Sequence, residues 1–326
     1  MTNVSYADAI NQALHQIMER KPEAFLIGQG VTSPWYVGST TSGLFERFGA
    51  KRVIDSPVSE CAVTGIALGA SLAGLHPILV HPRMDFMYYA MDPIANHAAP
   101  WHSMFGGQVE VPLIIWAIIN RGGEQGAQHS QAIHALLSHI PGLTIVMPST
   151  PYDAKGLLCA SIEIRKPVVF IDDRWLYSIS GEVPEKYYTV PIGKAVVRRA
   201  GEDVTVVCTS YLTNVALKSA DIVARRGIQA EIIDLRTAKP LDRELILASL
   251  TKTRRLIVID GGWNFCGYAA EICAVVAESP IFTKLKNRVV RVTLPDLPAP
   301  ASSELEKEYY IRDSDVVRAI EGIMEP

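Results

Sequence analysis

Thr144-Ile145-Val146-Met147 is followed by a helix-spaced segment from Pro151 to Arg165 and then by Val168-Val169-Phe170-Ile171. Two short apolar runs with a helical stretch between them form one strand–helix–strand repeat. Continuous apolar strands alternating with helices imply a parallel sheet covered on both faces, because such strands have no polar side to show to water. The same reading extends outward from this stretch. Phe25-Leu26-Ile27-Gly28, Ile78-Leu79-Val80 and Leu113-Ile114-Ile115-Trp116 are further apolar runs, and Cys61 to Leu72 reads as a helix. Ala9, Ile10, Ala13, Leu14 and Ile17 recur at helical spacing, so Tyr6 to Arg20 is expected to be an amphipathic helix.

From Ser178 to Ile192 the pattern gives way to a polar stretch with Gly and Pro, which reads as a linker or excursion. A second alternating series follows. Its strands are expected at Val204–Cys208, Ala230–Ile233, Arg255–Ile259 and Val289–Val292, and its helices at Thr213–Arg226, Asp242–Lys252 and Tyr268–Glu278. The expected organisation is α/β, with two three-layer α/β/α domains at 1–177 and 193–326 joined by 178–192.

A chain of 326 residues with 48% hydrophobic content can bury two cores. Its net charge of −3 gives no electrostatic footprint for nucleic acid or an anionic membrane. The five cysteines form no CxxC pair and are expected to be mostly small core residues in a reducing compartment. With no signal peptide, transit-like start or long apolar run, the expected location is the cytoplasm.

Three stretches carry chemistry. Glu60 follows Asp55-Ser56-Pro57-Val58-Ser59 and opens a run of small residues. It either caps the helix start, where an acid suits the dipole, or meets a ligand nitrogen. Phe86, Tyr88 and Tyr89 lie in Asp85-Phe86-Met87-Tyr88-Tyr89-Ala90. Gln128 and His129 follow the Gly-rich loop Arg121-Gly122-Gly123-Glu124-Gln125-Gly126, a type of loop that can approach a ligand closely. His134 and His139 are read as structural, and no metal site is assigned to this chain. Asp260-Gly261-Gly262-Trp263-Asn264 reads as a strand-to-helix turn with Glu271 on the helix behind it. No Walker loop or dinucleotide fingerprint is present.

With Ser103-Met104-Phe105-Gly106-Gly107-Gln108, Ile140-Pro141-Gly142-Leu143 and Arg291-Val292-Thr293-Leu294-Pro295-Asp296, these motifs cover nearly the whole chain. Together they resemble the beta subunit of the thiamine-diphosphate-dependent 2-oxo acid dehydrogenases, their E1 component, in the transketolase superfamily. The resemblance implies a transketolase-like pyrimidine-binding domain followed by a transketolase C-terminal domain. It implies that Glu60 hydrogen-bonds the aminopyrimidine ring of thiamine diphosphate, with Gln29, Phe86 and Tyr89 around that ring. Tyr88, Gln128 and His129 would face the substrate. It also implies an E1 alpha-like partner in an α2β2 heterotetramer. That partner would supply the Mg2+–diphosphate site, a lipoyl-bearing acyltransferase (E2) would be the acceptor, and a small 2-oxo acid the substrate.

Four departures accompany the resemblance. Gly28-Gln29-Gly30-Val31 replaces a run with two acids, so Gln29 can hydrogen-bond but cannot carry a proton as a carboxylate does. Trp116 stands where relatives have an arginine near the start of the Gly-rich loop. Asp92-Pro93-Ile94 and Pro100-Trp101-His102 are altered, and Ile164 offers no side-chain oxygen where relatives hold potassium. The leading reading is decarboxylation of a 2-oxo acid with acyl transfer to a lipoyl carrier. Its rivals are a transketolase-like or acyloin-forming carbon–carbon ligase and a non-catalytic scaffold subunit.

Overall fold

The computed structural model describes residues 1–325. Its contacts divide the chain into two units. One comprises Met1–Arg121 and Leu136–Ile192, the other Gly122–Ala135 and Gly193 onward.

The first unit contains strands β1 (Thr2–Ser5), β2 (Ala24–Gly28), β3 (Val53–Asp55), β4 (His76–His81), β5 (Ile114–Ile119), β6 (Thr144–Val146), β7 (Val168–Asp173) and β8 (Ser180–Val183). Six of them run in the order β6-β7-β5-β4-β2-β3, and all of these neighbours are parallel. Every residue of β2, β4, β5 and β7 is buried, as expected of strands covered on two faces. Helix Tyr6–Arg20 has the bounds the periodicity predicts and packs against helix Pro151–Glu163. Each starts where its sequence says: Ser5 Oγ accepts from Asp8 N, and Thr150 Oγ1 accepts from Asp153 N with Pro151 in the first turn. Lys155 is fully buried in the second helix, and its Nζ donates to Gln12 Oε1 (3.1 Å), Pro184 O (2.7 Å) and Glu185 O (3.1 Å). Within the polar stretch 178–192, β8 pairs antiparallel with β1.

In the second unit, β9 (Val196–Arg199), β10 (Val204–Cys208), β11 (Ala230–Asp234), β12 (Thr237–Lys239), β13 (Leu256–Trp263) and β14 (Val290–Leu294) follow. The sheet order is β14-β13-β10-β11-β9, with β9 alone antiparallel to its neighbour. Helices Tyr211–Ala224, Arg243–Thr253, Tyr268–Ala277 and Asp313–Met324 pack on it. Both units are α/β/α layers.

Three expectations are corrected. Trp116 lies inside β5, fully buried and five positions ahead of the Gly-rich loop, so it packs in the core and lines no loop. Asp260 to Trp263 is the end of β13, because the strand continues four residues beyond its apolar run, and of the expected turn only Asn264 lies past the strand. Cys159 and Cys208 are buried, but Cys61 and Cys266 are exposed and Cys273 is half-buried, so most of the cysteines are not core residues.

Candidate active site

The parallel sheet of the first unit sends its strand ends toward one edge, and Gln29, Glu60, Phe86, Tyr88 and Tyr89 lie in the segments that follow β2, β3 and β4. Gly28 ends β2, facing both Asp55 of β3 and Val80 of β4. A Cβ on Gly28 would lie 2.6 Å from the Val80 carbonyl oxygen, so only glycine lets the strands close here. The chain then turns at Gly30, whose φ is +66°. Asp55 fixes this turn by accepting from Gly30 N (2.7 Å) on one oxygen and from Thr32 Oγ1 (2.8 Å) on the other.

Gln29 is thereby aimed at the start of helix Glu60–Leu72. Its Nε2 donates to Glu60 Oε1 at 3.1 Å. Glu60 is the first helical residue, Ser59 being the cap position, so it sits in the first turn and favours the positive end of the helix dipole. The bond to Gln29 occupies one carboxylate oxygen and leaves the group able to accept another hydrogen bond through the second. Glu60 is half-buried, so a ligand nitrogen can reach it.

One turn further along the same helix, buried Thr64 Oγ1 lies 3.2 Å from Nε2 of His81 at the end of β4. Burial lowers the His81 pKa to about 4, so the ring is neutral at physiological pH. This contact seats the helix on β4 and fixes the height of Glu60. Sequence reasoning passed over Asp55, His81 and Thr64. Asp55 had a signal, an acid at a strand end just before Ser56-Pro57; the Thr64–His81 pair spans seventeen positions and had none.

Met84–Ala90 forms a 3-10 turn packed against the Glu60 helix. With three residues per turn, Met84, Met87 and Ala90 stack on the buried side, while Phe86 and Tyr89 share a second column. Phe86 is half-buried, and Tyr88 and Tyr89 are 46% and 71% exposed, so their hydroxyls have water in reach. The helix itself has two unlike faces. Val63, Thr64, Ala67, Leu68 and Ser71 are buried, but Cys61, Ala62, Gly65, Ile66 and Gly69 form an open face in this single chain.

His129 and Gln128 belong to the second unit, through segment Gly122–Ala135. His129 is half-buried and Gln128 exposed. The segment turns tightly, with positive φ at Gly122, Gly123, Glu124 and Gly126. His134, read as structural, pairs its Nε2 with buried Asp260 Oδ1 at 2.8 Å. At the end of the preceding strand β5, Arg121 forms a buried ion pair with Asp173 at 2.9 Å.

A carboxylate at a helix start, bonded to an amide, suits a flat heterocycle with a protonated ring nitrogen. The residues present fit an aminopyrimidine. Among the described residues no group of three or more His, Cys, Asp or Glu side chains is arranged to hold a metal, and no helix is long and apolar enough to cross a membrane.

Comparison with known proteins matches residues 2–179 to the transketolase pyrimidine binding domain and 193–316 to the transketolase C-terminal domain. The chain is 41% identical over 318 residues to the beta subunit of acetoin:2,6-dichlorophenolindophenol oxidoreductase from Bacillus subtilis, covering 94% of this chain and 93% of that one. It is 37% identical over 321 residues to the human mitochondrial pyruvate dehydrogenase E1 component subunit beta, covering 97% and 89%. A solved structure described as a split-gene transketolase, inactive beta4 tetramer, superposes with a TM-score of 0.81 over 98% of both chains at 21% identity, a likeness of fold.

Proposed function

The chain belongs to the transketolase-like family of E1 beta subunits, and from that membership we propose that it is the beta subunit of a thiamine-diphosphate-dependent 2-oxo acid dehydrogenase. The observation that carries the reading is the Gln29–Glu60 contact of 3.1 Å at the mouth of a helix in the pyrimidine-binding domain. Thiamine diphosphate, when bound, supplies a carbon nucleophile that attacks the substrate carbonyl. Glu60 holds a proton between its carboxylate and the ring nitrogen, and Gln29 orients that carboxylate. Phe86 and Tyr89 pack along the ring, while Tyr88, Gln128 and His129 meet the substrate. The working domain boundaries are 1–177 and 193–326 about the segment 178–192.

An E1 alpha-like subunit completes the enzyme as an α2β2 heterotetramer in the cytoplasm. It supplies the magnesium and diphosphate ligands, and a lipoyl-bearing acyltransferase accepts the product. The open face of the Glu60 helix supports assembly with another chain, since a contiguous apolar surface in water marks an interface.

A second substrate reading is acetoin, favoured by the 41% identity to the Bacillus subtilis oxidoreductase subunit. Co-purified with its alpha-like partner, thiamine diphosphate and Mg2+, the chain is offered pyruvate, a branched 2-oxo acid or acetoin, with a redox dye as acceptor. Dye reduction is expected only with both subunits present. It should fall about 100-fold or more in Glu60→Gln, the usual share of a positioned acid–base group. Wild-type turnover in Glu60→Ala would instead make the chain a scaffold.

A further inference from the structure

Segment Gly122–Ala135 lies in the sequence of the first domain, yet its contacts belong to the second unit. Two sets of bonds within that unit hold it. At its start, Glu124 N donates to Glu306 Oε1 (3.0 Å) and Glu124 Oε1 accepts from Ser303 N (3.2 Å), a reciprocal clasp at the first turn of helix Ser303–Tyr309. At its end, the His134 ring inserts against β13. Nε2 donates to Asp260 Oδ1 at 2.8 Å, and the ring meets Tyr268 edge-on at 5.9 Å. His134 is 1% exposed and Asp260 3%.

Asp260 is built to receive that donor. Its carboxylate also accepts from Gly262 N (3.0 Å) and Ala269 N (3.1 Å), the latter in the first turn of helix Tyr268–Ala277. Burial pushes its pKa up, but His134 and the two backbone donors outweigh this and hold it below the usual carboxylate range. The Gly-Gly step after Asp260 makes room, since a Cβ on Gly262 would lie 3.2 Å from the His134 ring carbon Cε1. A charge-assisted, fully buried bond between a segment and a rigid strand fixes position as well as adding stability.

His129 lies between the two anchors, five residues before His134. We propose that the Asp260–His134 pair, with the Glu124–Glu306 clasp, is the device by which the C-terminal domain sets the position of His129. His134 and Asp260 are then positioning residues for the substrate step. The inference rests on the reading of His129 as a substrate-facing group.

The test uses the full chain assembled with its alpha-like partner and reads two quantities: amide hydrogen exchange across 122–133, and kcat against KM. His134→Ala removes the donor, whereas His134→Gln keeps an N–H that reaches Asp260. In His134→Ala, exchange in the segment should rise roughly ten- to hundredfold, the effect of one lost charge-assisted bond on a local opening equilibrium. kcat should fall with KM little changed, and His134→Gln should restore most of both. Asp260→Ala, tested with the clasp variant Glu306→Ala, covers the case in which His134→Ala does not fold. Unchanged exchange across 122–133 in His134→Ala and Asp260→Ala would overturn the inference, as would equal loss in the His134→Ala and His134→Gln variants. Failure of the underlying reading shows separately, as full activity in His129→Ala.

Discussion

Gln29 and Glu60 share one hydrogen bond, and its energetic size is modest. Gln29→Ala removes a single donor to a carboxylate, worth about 1.5–3 kcal/mol. It should weaken retention of thiamine diphosphate about tenfold or more, as read by cofactor titration, without changing the far-UV spectrum. A cofactor affinity equal to wild type would mean that Glu60 needs no help in finding its orientation. Asp172 makes a different kind of prediction. It is the penultimate residue of β7, is fully buried and accepts from Tyr177 Oη at 3.0 Å. Burial is the main cause that raises its pKa from 3.8 to about 7. The native chain therefore keeps a proton that the unfolded chain releases between those values, so this group's contribution to stability falls as pH rises through that window. Asp172→Asn, which still accepts from Tyr177, should become progressively more stable than wild type between pH 4.5 and 7.5, by on the order of a few kcal/mol. Urea midpoints at the two ends of that range check the sign.

Helices and strands repeat the lesson that apolar periodicity is legible while paired polar contacts are not. Helix Tyr6–Arg20 and strand Val204–Cys208 stand where the sequence puts them, because one face of the helix and both faces of the strand are apolar. The short strands Val196–Arg199 and Thr237–Lys239 gave no warning, being too brief or too charged to show a period. The turn Met84–Ala90 was legible as an aromatic cluster, but its three-residue period decides which rings face out. Glu60 was legible because an acid opening an apolar helix is unusual; its partner Gln29 is thirty-one positions away. Lys155 lay hidden in an ordinary helical run. With no solvent access and three acceptors, it clamps helix Pro151–Glu163 to the chain at Pro184 and Glu185. Lys155→Met keeps the length of the side chain but leaves those acceptors without their donor. We expect a loss of about 3 kcal/mol in unfolding free energy, measured by denaturant titration. A loss below the error of the titration would mean that water replaces the ammonium.

For the chain as one molecule, the open side of the Glu60 helix makes the firmest forecast. Ile66 is 60% exposed among Cys61, Ala62, Gly65 and Gly69. Ile66→Glu places a charge that must lose its water on burial, a cost of several kcal/mol in an interface. Light scattering after gel filtration should show the variant folded but unable to join the assembly that wild type forms. An unchanged mass would move the interface elsewhere. The segment Gly122–Ala135 has a practical corollary for hybrid enzymes. A chimera spliced near position 192 parts His134 and Glu124 from the Asp260 and Glu306 they evolved beside. Exchanging 122–135 together with the C-terminal half keeps native neighbours matched, so recombination libraries should place their breakpoints around the segment as an inseparable cassette.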